Sequence, residues 1–135
     1  MFDFTGKRVL VTGGARGIGA ATVAVGARSM VSYQNFIERT GFTDLHPAVG
    51  DISTRTAAQA VVAAAIGVLD GLDVLVNCAG IFQEIAIADV TQEHWDTTLA
   101  TNLGGTFFCS QAALPALRGS RGNIVNVARP DSDDV

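Results

Sequence analysis

A strand-like segment that runs directly into a glycine-rich loop constrains the fold of this chain most. The β-branched run Arg8–Thr12 is typical of a buried strand, and Ala20–Val25 has the composition of a short helix. Between them lies the loop Thr12-Gly13-Gly14-Ala15-Arg16-Gly17-Ile18-Gly19. Glycines let the backbone approach a phosphate, and the N–H groups at the start of a helix favour an anion. The order strand, loop, helix therefore favours a phosphate site over a glycine-rich turn without a ligand.

The rest of the chain alternates between predicted strands and helices. Arg55–Leu69 carries its apolar residues on one helical face, and Ser53 or Thr54 can cap its start. A longer helix is predicted from Thr91, its candidate N-cap, to about Leu117, with a candidate break at Gly104-Gly105. The further predicted strands are Ser29–Tyr33, Leu45–Val49 and two buried ones, Asp73–Asn77 and Asn123–Val127. Strands that alternate with helices predict a parallel sheet with right-handed crossovers.

Composition excludes several classes of protein. A chain of 135 residues with 48% apolar residues forms one domain with a real core, which argues against intrinsic disorder. A net charge of −4 without a basic stripe argues against nucleic acid as a partner. The uncharged stretch Thr56–Leu69 is too short to cross a bilayer, and the first residues do not resemble a signal peptide. The prediction is a cytoplasmic protein without membrane contact.

The cysteines and histidines are predicted to carry no special chemistry. Cys78 and Cys109 are interpreted as free thiols, as expected in the cytoplasm. His46 and His94 have no Cys or carboxylate partners at ligand spacing, so no metal site is predicted.

Several motifs, in order along the chain, resemble those of the short-chain dehydrogenase/reductase family. The glycine loop has the family's Thr-Gly-x3-Gly-x-Gly pattern, which is neither G-x-G-x-x-G nor a P-loop with its Lys. The other motifs are Asp51-Ile52, Asn77-Cys78-Ala79-Gly80, the helix from Trp95 through Phe107, and the strand Gly122-Asn123-Ile124-Val125-Asn126-Val127. The resemblance covers nearly the whole chain but only the N-terminal half of a family member.

This resemblance implies both a fold and an activity. The fold is a Rossmann-like, doubly wound parallel α/β sheet of strand order 3-2-1-4-5, here incomplete. Residues 1–135 would form a single dinucleotide-binding domain that is truncated at its C-terminus. The activity is that of an NAD(P)-dependent oxidoreductase, which transfers hydride between the nicotinamide cofactor and a small alcohol or carbonyl substrate. The alternative is a catalytically inactive NAD(P)-binding fragment or an interaction module.

The resemblance also assigns roles to individual residues. Asp51 would accept a hydrogen bond from the adenine amino group, with Ile52 packed beside the ring. Asn102 matches the family's active-site Asn, which holds a water in a proton relay; a local hydrogen-bonding role inside a helix is the alternative. The cofactor's pyrophosphate and adenosine ribose would contact Gly13, Arg16, Gly17, Ile18 and Gly19. The adenosine side of the cleft would be lined by Asn77, Ala79 and Gly80.

The sequence departs from the family at the chemistry. Family members use a Tyr-x3-Lys pair as acid/base, with a Ser that polarises the substrate oxygen. Tyr33 is the only tyrosine here and Lys7 the only lysine, so the chain does not contain the pair. Alignment of the last strand places Arg129 at the Ser position. Only Asn102 of the four catalytic residues is present, and the chain alone is expected to be inactive.

A second departure lies between residues 20 and 50, where the chain is short for a helix and two loops. The ribose-binding acid usually follows the glycine motif by about 20 residues. Here the second predicted strand ends only 14 residues after Gly19, at Tyr33, which stands where that acid would lie and offers no carboxylate. This weakens the case for NAD; the alternative for Tyr33 is a half-buried strand aromatic. Arg16 could face a 2′-phosphate, which leans the prediction slightly towards NADP, although a solvated turn residue is the alternative. We expect a deletion or an altered reading frame in this region.

The predicted strand order leaves the fifth strand at the edge of the sheet. An exposed edge presents unpaired backbone groups and apolar side chains, which invite association. The predicted partners are therefore a dinucleotide cofactor, an alcohol or carbonyl substrate if the chain is active, and further copies of the chain in a homo-oligomer or self-associating form.

Overall fold

The computed structural model describes residues 6–14, 28–30, 45–46 and 48–128. Within these ranges the strands are β1 (Arg8–Thr12), β2 (Arg28–Met30), β3 (Leu45–His46), β4 (Val74–Asn77) and β5 (Asn123–Asn126). The helices are α1 (Arg55–Leu69), α2 (Gln92–Leu99) and α3 (Thr106–Ser120), with a 3-10 turn at Ile87–Asp89 and a π-helical turn at Ala100–Gly105. All strand pairs are parallel, in the order β3-β2-β1-β4-β5. The predicted α/β class and the strand order 3-2-1-4-5 are confirmed.

The helix boundaries follow from capping and packing. α1 has the predicted bounds, and the Thr54 hydroxyl, rather than that of Ser53, caps it by accepting from the Ala57 N–H at 3.3 Å. Thr91 caps α2 as predicted, because its hydroxyl accepts a hydrogen bond from the His94 N–H. His94 Nδ1 in turn accepts from the Thr91 N–H. The long predicted helix does not break at its glycines. It continues through the π-helical turn into α3 and ends at Ser120 instead of Leu117.

The strand predictions are accurate in position: β1 has the predicted bounds, and β4 and β5 are each one residue shorter than predicted. β4 and β5 each lie within the predicted segment, and β2 and β3 begin within one residue of the prediction. Residues 31–33 of the second predicted strand lie outside the described residues, as does most of the region between 20 and 50 that was expected to be shortened. The prediction of a deletion there stays a prediction.

The core forms where α1 and α3 pack on one face of the sheet. Leu10 of β1 and Leu75 of β4 are register partners, and both are buried. Helix α1 contributes Val62 and Leu69, and α3 covers them with an apolar set made of Cys109, Ala113 and Leu117. Because successive side chains of a strand alternate, Val9 and Val11 belong to the opposite face of β1, where they are also buried. The central strand is therefore covered on both faces, as its continuous apolar sequence predicted.

The prediction from composition that the last strand is buried was wrong, whereas the prediction from strand order that it lies at an edge is confirmed among the described strands. In β5 only Ile124 is half-buried, and the side chain of Val125 is 47% exposed. The physical reason is position: among the described strands, β5 pairs with β4 on one side and with none on the other. Its apolar residues have the composition of an interior strand without the neighbours of one.

An ion pair joins the starts of β1 and β4, at the edge opposite the glycine loop. One carboxylate oxygen of Asp73, Oδ2, accepts from the backbone N–H and from Nε of Arg8, both at 2.9 Å, and Oδ1 accepts from Nη2 at 3.1 Å. Arg8 Nη1 donates to the carbonyl oxygen of Asp70. Hydrogen bonds from Arg8 hold the pKa of Asp73 at about 2, below the ordinary value of 3.8.

Asp73→Asn is expected to lower the free energy of unfolding by about 1 kcal/mol at pH 7, because the pair is partly screened by solvent. The depressed pKa fixes the sign of the pH dependence. The stabilisation of the folded chain by the Arg8–Asp73 pair is fully present above the ordinary carboxyl pKa of 3.8. It is lost as the pH falls through the folded pKa of about 2. Urea midpoints measured from pH 7 down to pH 2 test this. Glu84→Gln, a matched charge removal on an exposed loop residue, should keep the wild-type acid profile; an identical loss in both variants would contradict the prediction.

Candidate functional site

Three polar side chains line up at the carboxyl edge of the central strands. Thr12, Asn77 and Asn126 are consecutive register partners on β1, β4 and β5. Because the strands are parallel, their carboxyl ends share one edge, and the loops that follow lie side by side. Open α/β sheets bind their ligands at this edge. The site is therefore built from the segments after β1 and β4 and from the helix that packs beside them.

The loops after β1 and β4 meet backbone against backbone at Gly13. This residue has a left-handed φ of +67°, and a Cβ there would lie 2.7 Å from both the Cα and the N of Ala79. That distance is shorter than any real carbon contact, so the approach requires glycine. The first glycine of the loop thus brings together two segments that the sequence assigned to one cofactor cleft.

The Thr12 hydroxyl holds the loop after β4 in place through two hydrogen bonds. Its Oγ1 accepts hydrogen bonds from the backbone N–H groups of Cys78 and Ala79, each at 3.2 Å. Thr12 itself is 7% exposed, so the sheet holds this acceptor in place. From the sequence, Thr12 has no predicted role beyond its place in the motif. The available signal was a hydroxyl residue at the end of a buried strand, directly before a glycine.

Asn77 turns its side chain to the neighbouring elements. It is 3% exposed, and its Nδ2 donates to Ser110 Oγ of α3 at 3.0 Å and to Asn126 Oδ1 of β5 at 2.9 Å. Its Oδ1 is buried without a hydrogen-bond partner among the described residues. The predicted lining role of Asn77 stays a prediction, and the structure adds that this side chain braces β4 against α3 and β5.

Asn102 clamps the loop that follows Gly80. Its Oδ1 accepts from the N–H of Ile81 at 2.8 Å, and its Nδ2 donates to the carbonyl of the same residue at 2.9 Å. A Cβ on Gly80 would lie 3.3 Å from Asn102 Oδ1, so a larger residue would crowd the clamp. Both ends of the carboxamide are thus engaged by the backbone of a residue 21 positions away, rather than by a neighbour in the helix. The water-holding role stays a prediction.

Asp51 presents an ionised carboxylate at the start of α1. Its Oδ1 accepts from the Ser53 N–H at 2.8 Å and its Oδ2 from the Ser53 hydroxyl at 2.7 Å. The backbone hydrogen bond and then the hydroxyl of Ser53 lower the pKa of Asp51 below its usual value. A carboxylate oxygen that accepts one bond can accept another. The exposed Asp51 can therefore accept from an amino group such as that of adenine.

Ile52 connects this segment to the π-helical turn. A Cβ on Gly105 would lie 2.7 Å from Ile52 Cδ1, so the turn packs on Ile52 through a glycine. Ile52 also packs against the core, which fixes its position.

Of the remaining predicted site residues, two lie in the described loop after β4 and five lie outside the described residues. Ala79 is half-buried, and Gly80 is exposed beside Asn102. The other predicted cofactor contacts lie outside the described residues: Arg16, Gly17, Ile18, Gly19 and Tyr33. Within the described ranges no three potential ligand side chains gather into a metal site. No helix in these ranges is long and apolar enough to cross a membrane.

The two thiols differ in accessibility. Burial raises the pKa of Cys109 in the core to about 11, and burial also raises that of the half-buried Cys78. We expect a thiol reagent at pH 8 to label only Cys78 in the folded chain and both residues in urea. Cys78→Ala should then show no reactive thiol until the chain unfolds. Two thiols that react at the same rate in the folded state would contradict this prediction.

The fold and this cleft together define an α/β protein of the dinucleotide-binding type. A model of the short chain dehydrogenase family matches residues 7–132. The chain belongs to this family of oxidoreductases. The resemblance stated from the sequence motifs is confirmed.

Individual relatives agree with this assignment. The chain is 29% identical to an uncharacterized oxidoreductase of Staphylococcus haemolyticus, over 100% of this chain and 63% of the relative. It is 32% identical to a gluconate 5-dehydrogenase of Gluconobacter oxydans, over 98% of this chain and 57% of the relative.

A solved structure extends the comparison to three dimensions. A short chain dehydrogenase from Burkholderia cenocepacia in complex with NADP superposes with a TM-score of 0.75 at 36% identity, covering 90% of this chain and 54% of that one. This chain therefore spans somewhat more than half the length of the relatives that it matches.

Proposed function

We propose that this chain binds NAD(P) at the carboxyl edge of its sheet and forms the cofactor-binding part of an oxidoreductase. The observation that carries the proposal is the backbone contact between Gly13 and Ala79, with the Thr12 hydroxyl below it. These contacts bring the first glycine of the predicted phosphate loop against the loop predicted to line the adenosine. A family structure that is 36% identical holds NADP, which supports the choice of ligand.

Different residues would contact different parts of the cofactor. Gly13 would face the pyrophosphate together with the predicted contacts Arg16, Gly17, Ile18 and Gly19. Asp51 would accept from the adenine amino group and Ile52 would pack beside the ring. Ala79 and Gly80 would line the adenosine, held by Thr12 and Asn102 from either side. When bound, the nicotinamide supplies or takes up the hydride that passes between it and an alcohol or carbonyl substrate.

Binding without turnover is the behaviour that we propose for this chain alone. The sequence contains one tyrosine and one lysine, far apart, so it offers no Tyr-x3-Lys pair to donate or accept the proton that accompanies hydride transfer. The cytoplasmic location and the slight preference for NADP belong to the same proposal. Arg16 and the absence of a carboxylate at Tyr33 support that preference.

Fluorescence titration with NADPH and NADH tests the proposal directly. We expect saturable binding of both, somewhat tighter for NADPH, and no oxidation of NADPH by a panel of aldehydes and ketones. Absence of binding of either dinucleotide at millimolar concentration would overturn the proposal. Carbonyl-dependent oxidation that disappears in Asn102→Ala would replace it with an active enzyme.

A second proposal, self-association, is favoured by the exposed edge of the sheet. Val125 of β5 is 47% exposed, and a groove of about 340 Å³ beside this strand is lined by Leu114, Leu117, Arg118, Arg121, Gly122 and Ile124. A second exposed apolar face, with residues at intervals of four, runs along α2, the π-helical turn and α3, and includes Leu103 at 64%; it provides a comparison for the β5 edge.

Light scattering is expected to show a species larger than the monomer at high concentration. Val125→Lys should shift it to the monomer if copies pair through the β5 edge, because charged residues protect sheet edges. Leu103→Lys is the matched variant on the helical face and should leave the larger species intact. A monomer in the unmodified chain would contradict the prediction.

A further inference from the structure

The π-helical turn touches both segments that are predicted to hold the adenosine. On one side Gly105 packs on Ile52, and on the other side Asn102 clamps the backbone of Ile81. The geometry of this turn therefore sets the distance between the two walls of the predicted cleft.

A single hydroxyl in the helix acts on the residue that forms the clamp. Thr106 Oγ1 donates to the backbone carbonyl of Asn102 at 2.9 Å. A Thr or Ser hydroxyl that bonds back to the carbonyl four residues earlier favours a bent helix over a straight one. The bond is made to a residue inside the π-helical turn, and the side chain of that same residue forms the clamp on Ile81.

We propose that Thr106 is a positioning residue for the adenosine part of the cleft. Its hydroxyl holds the π-helical turn in the form that directs Asn102 at Ile81. Its effect on the cofactor rests on the proposed function; its effect on the Ile81 backbone does not.

The consequence of losing the hydroxyl follows from helix geometry. A π-helical turn carries one more residue than an α-helical turn. Relaxation to α geometry rotates the residues on one side of it by roughly 100° about the axis, the angle that one residue occupies. Such a rotation would carry the Asn102 carboxamide away from Ile81 and free the loop after Gly80.

The core of α3 does not depend on this hydroxyl. The buried residues of the helix are Cys109, Ala113 and Leu117, whereas Thr106 is half-buried at its start. Thr106→Val keeps the shape of the side chain and removes only the donor. A change in the cleft without a change in the stability of the core is therefore the signature of the proposed role.

The experiment compares three variants of the whole chain: Thr106→Val, Thr106→Ser and Thr97→Val. Thr97 is an exposed residue of α2 whose hydroxyl makes no hydrogen bond within the described ranges, so its valine variant controls for a Thr-to-Val change in a helix. Two quantities are measured, the hydrogen exchange of the Ile81 amide, which donates to Asn102 Oδ1, and the Kd for NADPH.

We expect Ile81 exchange to accelerate about tenfold in Thr106→Val and the Kd for NADPH to rise by a similar factor, the scale of one lost hydrogen bond. Thr106→Ser should restore both values, and Thr97→Val should change neither. Unchanged Ile81 exchange in Thr106→Val, or failure of Thr106→Ser to restore it, would overturn the proposal. So would exchange that accelerates equally at the core amides, because the effect would then be global. If the unmodified chain binds no NADPH, the proposed function fails, and Ile81 exchange still decides the role of Thr106.

Discussion

Gly13→Ala is expected to abolish NAD(P) binding and to destabilise the chain by about 3 kcal/mol. Two penalties add at this position. An alanine at the φ of +67° is strained in the left-handed region, and its methyl group would lie 2.7 Å from backbone atoms of Ala79. Backbone atoms cannot swing aside as the end of a side chain can. The loops after β1 and β4 would have to separate, and the proposed pyrophosphate site lies where they meet.

Gly6→Ala separates the two penalties. Gly6 has a φ of +76°, and a Cβ there would meet nothing within 4 Å. This variant therefore carries the conformational cost alone, about 1–2 kcal/mol, and should bind NADPH like the unmodified chain. Urea midpoints and NADPH titrations of the two variants give the comparison. Equal effects of Gly6→Ala and Gly13→Ala, or normal NADPH binding by Gly13→Ala, would show that the contact with Ala79 is not needed.

Local sequence patterns predicted the elements whose structure depends on local interactions. Helix α1 was predicted with its observed bounds because its apolar face, its cap and its end are all encoded within the segment itself. β1 was also predicted with its observed bounds, because its continuous apolar run is typical of a strand that is buried on both faces. The strand order came from the family resemblance, since no short-range signal specifies which parallel strands are adjacent.

The contacts of the π-helical turn with the cleft could not be predicted, because its partners Ile52 and Ile81 lie elsewhere in the chain. Gly104-Gly105 suggested a break in the helix, yet the helix continues, and Gly105 instead gives Ile52 room to pack. Asn102 was identified by its motif, but its partner, Ile81, is 21 residues away and contributes only backbone atoms. Any residue can supply backbone partners, so the hydrogen bonds between Asn102 and Ile81 could not be predicted from the sequence.

The prediction that β5 is buried was wrong for a related reason. The apolar composition of β5 is that of an interior strand. Composition indicates which surroundings suit a strand, and does not indicate whether a neighbouring strand is present. Whether a neighbour is present is a property of the whole assembly. The exposed Val125 is therefore consistent with the motif and inconsistent with the prediction of burial.

Thr12→Val should loosen the loop after β4 while preserving the shape of the strand end. Valine fits the space of threonine but accepts no hydrogen bond, so the N–H groups of Cys78 and Ala79 lose their acceptor. Leaving two partly buried donors unsatisfied costs about 2 kcal/mol. The loop can recover these bonds only by opening to water, and it would then move away from Gly13. We expect the Kd for NADPH to rise more than tenfold, because the proposed adenosine wall is no longer fixed.

Thr12→Ser provides the matched control, since serine keeps the acceptor and removes only a methyl group. It should bind NADPH nearly as well as the unmodified chain and lose less than half of the stability that Thr12→Val loses. Amide exchange at Cys78 and Ala79, measured without cofactor, should accelerate in the valine variant only. If the serine and valine variants lose binding equally, packing of the methyl group is what matters and the hydroxyl does not hold the loop. If neither loses binding, the segment after β4 is not a wall of the cofactor cleft, because a wall released from its support could not leave affinity unchanged.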